Sequence, residues 1–269
     1  MANFHTSEDL SGPDASDSSL QLKKRRGRER KRKHEHDEGN ANKASTTLHP
    51  SVPSVLPLLT TQPSHMTVRP SSLLIASLGN PGSLKTTRHS AGHILLNALA
   101  TSLHAPAFSR SKPYANVSIT SASLASTSLT LWQSPTLMNV SGPALLKAWR
   151  TFVAENQRDS SGLIILHDEM ETLPGRLKVR HGLQGSVKGH NGLKSVVDSF
   201  RSAAAGTGQQ IIRVGIGIGR PMTRSRERAD VSDYVLGKCT GEEKAKIEGL
   251  TEELERILEH EGQRIATMN

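Results

Sequence analysis

The stretch LLIASLGNPGSLKTTRHSAGH, residues 73–93, contains a strand, a turn and the start of a helix. The apolar run at residues 73–78 predicts a buried strand, and GNPG at residues 79–82 predicts the turn that ends it. Apolar side chains at helical spacing then predict a helix over residues 90–103. A strand that leads through a turn into a helix is a building unit of α/β folds. The junction also carries three polar side chains that a connection does not require: Asn80, Arg88 and His89.

The alternation of strands and helices continues along the chain. Further strands are predicted at residues 115–125, 129–133, 162–167, 176–180 and 211–218. Further helices are predicted at residues 141–154, 191–200 and 241–261, the last with a capping box formed by Thr240 and Glu243. We therefore expect residues 71–269 to form a single α/β domain. Its sheet should be twisted, mixed and largely parallel, flanked by helices and completed by a C-terminal amphipathic helix.

Residues 1–70 have a different composition. They are rich in Ser, Pro and charged residues and show no sustained apolar period, which is typical of a disordered extension. The basic run at residues 23–33 is typical of a nuclear-import or nucleic-acid-binding segment, and a solvated arm without a specific role fits it equally well. Acidic residues among the first twenty argue against a transit peptide.

Composition and charge narrow the class of protein. The single cysteine excludes an internal disulfide, and no apolar run approaches the roughly 18 residues that a membrane-spanning helix needs. The formal net charge is +9, although residues 1–70 hold 11 Lys and Arg against 8 Asp and Glu. Residues 176–228 hold 11 Lys and Arg against only Asp198 and Glu227, so the folded part has its own basic face. A basic face predicts an anionic partner.

Four polar clusters follow predicted strand ends, where α/β sheets bind their ligands. They are Asn80 with His89, Met138 with Asn139, His167 with Asp168 and Glu169, and His190 with Asn191. Together they offer imidazole, carboxylate and amide groups, which suit the activation of water. A carboxylate can orient a histidine base, and amides can position water or donate to an oxyanion. This hypothesis requires the fold to bring the clusters together.

Other interpretations are weaker. His89 and His93 have the i, i+4 spacing of a metal pair, but no carboxylate lies near enough in sequence to complete it. GIGIG at residues 215–219 lacks the GxGxxG pattern and predicts close strand packing rather than nucleotide binding. Cys239 is interpreted as a packing residue rather than a nucleophile. At this point His89 stays open between a general base and a structural histidine.

Six motifs occur in the order found in the bacterial-type peptidyl-tRNA hydrolases, so that residues 72–260 resemble this family. The motifs are LGNPGSLKTTRHSAGH, SPTLMNVSG, LIILHDEMETLPG, GHNGL, RVGIGIGRP and VSDYVLGK. The resemblance implies a monomeric α/β esterase without metal or cofactor. It implies hydrolysis of the ester between a peptide and the 3′ ribose of tRNA, which recycles tRNA after aborted translation. The extension over residues 1–70 marks the chain as a eukaryotic member.

The resemblance implies catalytic roles for three residues. His89 matches the family's general base, which activates water for attack on the ester carbonyl. Asp168 matches the acid that orients this histidine, and Asn80 matches the amide that stabilises the oxyanion.

The resemblance also implies a substrate-binding set. Asn139 and Asn191 match the asparagines that hold the peptide backbone and the water, and Met138 matches the apolar wall beside them. Arg180 and Arg213 match basic residues that contact the terminal phosphate of tRNA, in agreement with the basic face.

Several positions depart from the family pattern or keep two interpretations. Lys85 stands where the family usually has a Tyr near the tRNA 3′ end, and we expect it to bind substrate there. Ser90 replaces the common Asn after the catalytic histidine, and the glycine-rich stretch before Asn191 is longer than usual. Arg88 fits a structural salt bridge as well as a substrate contact.

Two functions are compatible with the sequence. The first is an active hydrolase, and the second is a catalytically inactive family member that acts as an RNA-binding or splicing factor. Retention of Asn80, His89, Asp168 and Asn191 favours the enzyme, since a binding protein does not need an oriented base. We expect a cytoplasmic location, with the mitochondrion as the alternative, and the basic run leaves nuclear import open.

Overall fold

The computed structural model describes residues 70–268 except residues 116, 157, 186, 188, 204–209 and 222–226. The extension predicted over residues 1–70, with its basic run, lies outside the described residues apart from Pro70. Among the helices of the described part, none is long and apolar enough to cross a membrane.

Within the part of the chain that the structure describes, seven strands form one sheet. They are β1 (Ser72–Ser77), β2 (Ser109–Ser111), β3 (Val117–Leu124), β4 (Thr127–Gln133), β5 (Ser161–Glu169), β6 (Leu177–His181) and β7 (Ile211–Gly217), in the order β2-β3-β4-β1-β5-β7-β6. The four central strands, β4, β1, β5 and β7, run parallel. Antiparallel strands complete both edges of the sheet. The predicted mixed and largely parallel sheet is confirmed.

In the described residues, six α-helices accompany the sheet: α1 (Ala91–Ser102), α2 (Ser141–Asn156), α3 (Asn191–Ser202), α4 (Arg228–Leu236), α5 (Gly241–Glu248) and α6 (Thr251–Ala266). Helices α1, α5 and α6 contribute to one apolar core, and α2 and α3 to another. Alternate residues of β1 belong to the two cores, with Leu73 and Ile75 in the first and Leu74 and Ala76 in the second. The period of two places successive side chains on opposite faces, so this apolar strand is buried on both sides.

The prediction of one helix over residues 241–261 is wrong, because the structure has two helices there. The capping box of Thr240 and Glu243 begins α5 as predicted, and α5 ends with Gly249 as its C-cap. Thr251 Oγ1 then donates to the carbonyl oxygen of Glu248 at 2.7 Å, which satisfies a terminal carbonyl. The predicted apolar stripe still packs, and Leu250 in the connection is only 5 % exposed.

Strand β2 and helix α4 were not predicted from the sequence. Strand β2 has only three residues, none of them buried. In α4 the only buried residue is Val235, so this helix shows no apolar stripe for a periodicity argument to detect.

Two glycines of GIGIG lie in β7 and permit close packing, as predicted. A Cβ added at Gly215 would lie 2.9 Å from Cβ of Glu169, and one added at Gly217 would collide with the carbonyl oxygen of Leu173. The absence of side chains therefore lets β7 and the residues after β5 approach each other.

The parallel strands bring three of the polar clusters together at the carboxyl ends of the central strands. Asn80 follows β1, Met138 follows β4, and Asp168 lies near the end of β5. The start of α2 packs on α3, where a Cβ at Gly142 would collide with the carbonyl oxygen of Ser195. This close approach holds the N-terminal turns of α2 and α3 beside the same strand ends.

Candidate active site

A hydrogen bond joins His89 to Asp168 at the centre of the candidate site. His89 Nδ1 lies 2.9 Å from Asp168 Oδ1. Asp168 is 4 % exposed, while the His89 side chain, in the 3-10 turn before α1, is 12 % exposed. Because an ionised carboxylate can only accept, Nδ1 of His89 carries the proton, and Nε2 is left as the basic nitrogen.

His190 is a second donor to the same carboxylate oxygen, and the sequence analysis assigned it no role. Its Nε2 lies 3.0 Å from Asp168 Oδ1. Its Nδ1 accepts the backbone N–H of Leu193 at 3.1 Å, which makes His190 the N-cap of α3. Since Nδ1 is an acceptor here, Nε2 must carry the proton, so the cap fixes the tautomer that donates to Asp168. A histidine immediately before a predicted helix was the available signal.

The environment of Asp168 sets the protonation states of the site. Burial opposes ionisation of Asp168, but the adjacent His190 and the hydrogen bonds from both histidines prevail and hold its pKa well below the usual range. Burial also disfavours a charged His89, but the hydrogen bond and charge of Asp168 outweigh it and raise the pKa of His89 above 6.5. His89 is therefore a stronger base than a free histidine, with its proton acceptor directed away from Asp168.

His167 and His93 are buried near the site, and we interpret both as structural histidines. Burial lowers the pKa of His167 to about 3 and that of His93 to about 4, so both rings are neutral near pH 7. His167 Nδ1 lies 2.8 Å from the carbonyl oxygen of Asp168, and His93 Nδ1 lies 2.7 Å from Ser77 Oγ.

Asn80 is fixed by two hydrogen bonds. Its Oδ1 accepts the backbone N–H of Met138 at 2.8 Å, and its own backbone N–H donates to Ser90 Oγ at 3.0 Å. Ser90 Oγ in turn donates to the carbonyl oxygen of Leu84 at 2.8 Å. Because Oδ1 is engaged by Met138, the orientation of the amide is set and its Nδ2 donors are left for a ligand. Ser90, which departs from the family pattern and directly follows His89, thus ties the Asn80 turn to Leu84 and to the 3-10 turn that carries His89.

Met138, Asn139 and Asn191 lie on two chain segments that touch. Met138 is 3 % exposed, and its sulfur occupies the space that a Cβ at Gly192 would need. Asn139 and Asn191, the respective neighbours of these two residues, are both exposed. The contact therefore brings the two asparagine-bearing segments together beside Asn80.

The two predicted phosphate-binding arginines are paired across adjacent strands, but they differ in exposure. Arg180 in β6 lies opposite Arg213 in β7 and is partly exposed. Arg213 is 3 % exposed, and its guanidinium donates to the carbonyl oxygens of Gly182 at 2.9 Å and Gln184 at 2.6 Å. Arg213 therefore holds the segment after β6, a role that the sequence analysis did not anticipate. A contact with tRNA phosphate stays a prediction for both arginines, and so does substrate binding by Lys85, which is exposed.

The residues that could hold a metal ion, within the described part of the chain, are His89, Asp168 and His190, whose possible ligand atoms lie within 4.8 Å of one another. His93, which completed the metal pair considered from the sequence, is not in this group. Both imidazole N–H groups already bind Asp168 Oδ1, so hydrogen bonding alone accounts for the arrangement. Cys239 is half-buried, and burial raises the pKa of its thiol to about 11, which is consistent with packing and unsuited to a nucleophile.

The chain is similar to peptidyl-tRNA hydrolases in sequence. The family model described as peptidyl-tRNA hydrolase matches residues 74–267. A peptidyl-tRNA hydrolase of Thermodesulfovibrio yellowstonii is 34 % identical over 188 residues, which cover 69 % of this chain and 90 % of the relative. A probable peptidyl-tRNA hydrolase of the fission yeast Schizosaccharomyces pombe is 36 % identical over 182 residues, which cover 67 % and 78 %.

Solved structures agree with the sequence relatives. A crystal structure of a mutant peptidyl-tRNA hydrolase from Acinetobacter baumannii superposes with a TM-score of 0.55 at 27 % identity, covering 73 % of this chain and 92 % of that one. A complex of peptidyl-tRNA hydrolase with N-propanol superposes with a TM-score of 0.55 at 29 % identity, covering 76 % and 94 %.

Proposed function

This chain belongs to the peptidyl-tRNA hydrolase family, and we propose that His89, Asp168 and Asn80 carry out its hydrolysis of peptidyl-tRNA. The observation that carries the assignment is the hydrogen bond of His89 Nδ1 to the buried Asp168, which leaves Nε2 as the base. A second donor, His190, binds the same carboxylate oxygen at 3.0 Å.

The reaction follows from these groups. His89 Nε2 removes a proton from water while the water oxygen attacks the ester carbonyl carbon, and Asp168 stabilises the imidazolium that forms. Nδ2 of Asn80 donates to the oxyanion of the tetrahedral intermediate. The intermediate then breaks its bond to the ribose 3′ oxygen, which takes the proton from His89. The products are free tRNA and a peptide with a free carboxyl group.

The pH dependence of kcat/KM tests His89 as the base. We expect kcat/KM to fall as the pH drops through an apparent pKa above 6.5, because the base must be neutral and Asp168 raises its pKa. Hydrolysis of N-acetyl-aminoacyl-tRNA between about pH 5 and 8 measures this limb. Circular dichroism over the same range separates titration from unfolding, and a limb centred at or below 6.5 contradicts the assignment.

Substrate binding is proposed for the residues around this centre. Met138 contacts Asn80, and Asn139 and Asn191 lie on the two segments that meet at Met138. These three residues are assigned to the peptide, whereas Arg180, Arg213 and Lys85 are assigned to the tRNA end. Phosphate contacts supply affinity that depends on salt and not on base sequence, which suits a hydrolase that accepts many tRNAs. The inactive RNA-binding alternative has no observation in its favour, and the hydrogen bond between His89 and the buried Asp168 supports the enzyme instead.

Deletion of residues 1–70 is expected to leave kcat nearly unchanged. The contacts that define the site join residues between 80 and 193, so the chemistry does not need the extension. Turnover of N-acetyl-aminoacyl-tRNA by the full chain and the shortened chain provides the measurement, with binding of uncharged tRNA as the control. A large loss of turnover would place the extension in the substrate site.

We further propose that the protein is a monomer and works in the cytoplasm, with the basic run at residues 23–33 as the segment that could redirect it. Sedimentation of the purified chain tests the first statement. Fluorescent fusions with and without residues 1–70 test the second, because a mitochondrial or nuclear signal of the full fusion would contradict it.

A further inference from the structure

A distant part of the chain is attached to the residues directly before His89. Arg88 N donates to the carbonyl oxygen of Gly237 at 3.0 Å, and Cys239 N donates to the carbonyl oxygen of Thr86 at 2.9 Å. These bonds form an antiparallel bridge between residues 86–88 and the α4–α5 connection. We call residues 234–243, which comprise the end of α4, this connection and the start of α5, the 234–243 segment.

The side chain of Arg88 extends the attachment. Its Nε donates to Glu243 Oε1 at 2.8 Å, and its Nη1 donates to the carbonyl oxygen of Tyr234 at 3.2 Å. Its guanidinium carbon lies 4.6 Å from the centroid of the Tyr234 ring. Glu243 uses its other oxygen, Oε2, to accept the backbone N–H of Thr240 at 2.8 Å in the capping box. Every donor direction described for Arg88 therefore leads to the 234–243 segment, which supports the structural interpretation of this residue.

The same segment reaches the partner of His89. Tyr234 Oη donates to the carbonyl oxygen of Ile218 at 2.6 Å. Ile218 N donates to the carbonyl oxygen of Glu169 at 3.1 Å, and Glu169 adjoins Asp168. The residue before His89 and the residue after Asp168 are thus both connected to Tyr234.

We propose that Arg88 and Glu243 are positioning residues, which set the distance between His89 and Asp168 by fastening both sides of that hydrogen bond to the 234–243 segment. The inference rests on the proposed function, because it assumes that His89 is the base. Small displacements of a base from its water are costly, since misplacement by about 1 Å can reduce the rate by about 100-fold. The side chains of Arg88 and Glu243 are only 17 % and 28 % exposed, so thermal stability is measured beside the kinetics to separate an effect on geometry from an effect on folding.

Replacement of either partner in the full-length chain tests the proposal. Arg88→Gln and Glu243→Gln are each expected to lower kcat by about tenfold while KM changes by less than about twofold, because the base is displaced and the substrate contacts stay. The double variant should lose no more than Arg88→Gln alone, since Arg88→Gln already removes the contact with Glu243 together with those to Tyr234. The acid limb of kcat/KM should move to lower pH in all three, because a loosened bond to Asp168 no longer raises the pKa of His89.

The matched control is Glu242→Gln in the same helical turn. Glu242 is exposed and pairs with Lys246 away from His89, so this variant should keep the wild-type kcat and pH profile. Thermal unfolding of each variant accompanies the kinetics.

The outcomes are distinct. Unchanged kcat and an unmoved acid limb in Arg88→Gln and Glu243→Gln overturn the proposal. Loss of thermal stability with a normal kcat for the folded fraction also overturns it, because the pair would then be structural only. Full activity of His89→Ala would instead overturn the proposed function itself.

Discussion

Replacement of His89 by alanine is expected to lower kcat/KM for N-acetyl-aminoacyl-tRNA by about 10²–10⁴-fold, the usual contribution of a general base. The variant loses Nε2, the group that removes the proton from water, and it also leaves Asp168 without one of its two donors. Release of the N-acetylated amino acid under conditions of substrate excess measures the effect. Binding of uncharged tRNA should stay near the wild-type value, because the basic side chains are not altered.

His260→Ala is the control for this experiment. His260 is exposed on α6, and its side chain is 73 % accessible. The variant removes the same imidazole from a helix surface, where alanine is well tolerated. Equal turnover by wild type and His89→Ala, with tRNA bound by both, would refute the enzymatic assignment of this site.

Asp168→Asn is expected to lower kcat/KM by about 10²–10⁴-fold, as in other histidine–carboxylate pairs. The amide is neutral and cannot stabilise the imidazolium, and when its NH₂ group faces His89 it favours the tautomer that carries the proton on Nε2. The acid limb should also move to lower pH, because the charge of Asp168 raises the pKa of His89. Thermal stability at neutral pH should fall, because the lowered pKa of Asp168 shows that the folded protein favours the carboxylate over a neutral group, so thermal unfolding is measured beside the kinetics.

Asp198→Asn is the matched control. Asp198 is exposed on α3, and its replacement by Asn removes the same charge outside the site. If Asp168→Asn retained wild-type kcat/KM at neutral pH, then orientation of His89 by this carboxylate would be dispensable. If unfolding of Asp168→Asn accounted for its whole loss of activity, then the carboxylate would likewise be dispensable for the chemical step.

The parts of the candidate site that could be predicted from the sequence are those that depend on local sequence patterns. Asn80 and Met138 follow apolar strands and Asp168 lies near the end of one, and parallel strands bring such residues together at their carboxyl ends. His190 was recognised only as part of a cluster, because its role depends on an N-cap bond and on a carboxylate 22 residues away. Such a bond has no signature in spacing.

Two other differences between the predictions and the structure also have physical causes. A charged residue in a strand is expected to reach solvent. Arg213 is nevertheless buried, because its N–H groups donate to carbonyl oxygens of the segment after β6. The apolar stripe of residues 247–258 continues through Gly249, so periodicity alone could not show where α5 ends and α6 begins. Periodicity reports which face is buried, and the break depends on the caps.

The contacts of Arg88 with Glu243 join residues 155 positions apart. Chains are synthesised from the N-terminus, and a contact of this separation can form only after the later partner has been made. The histidine and its carboxylate are therefore present long before the segment that fastens them is available. A nascent copy of this chain is itself a peptidyl-tRNA, and, on the roles proposed for these residues, the order of synthesis leaves its His89–Asp168 pair without the attachment to the 234–243 segment until residue 243 has been made.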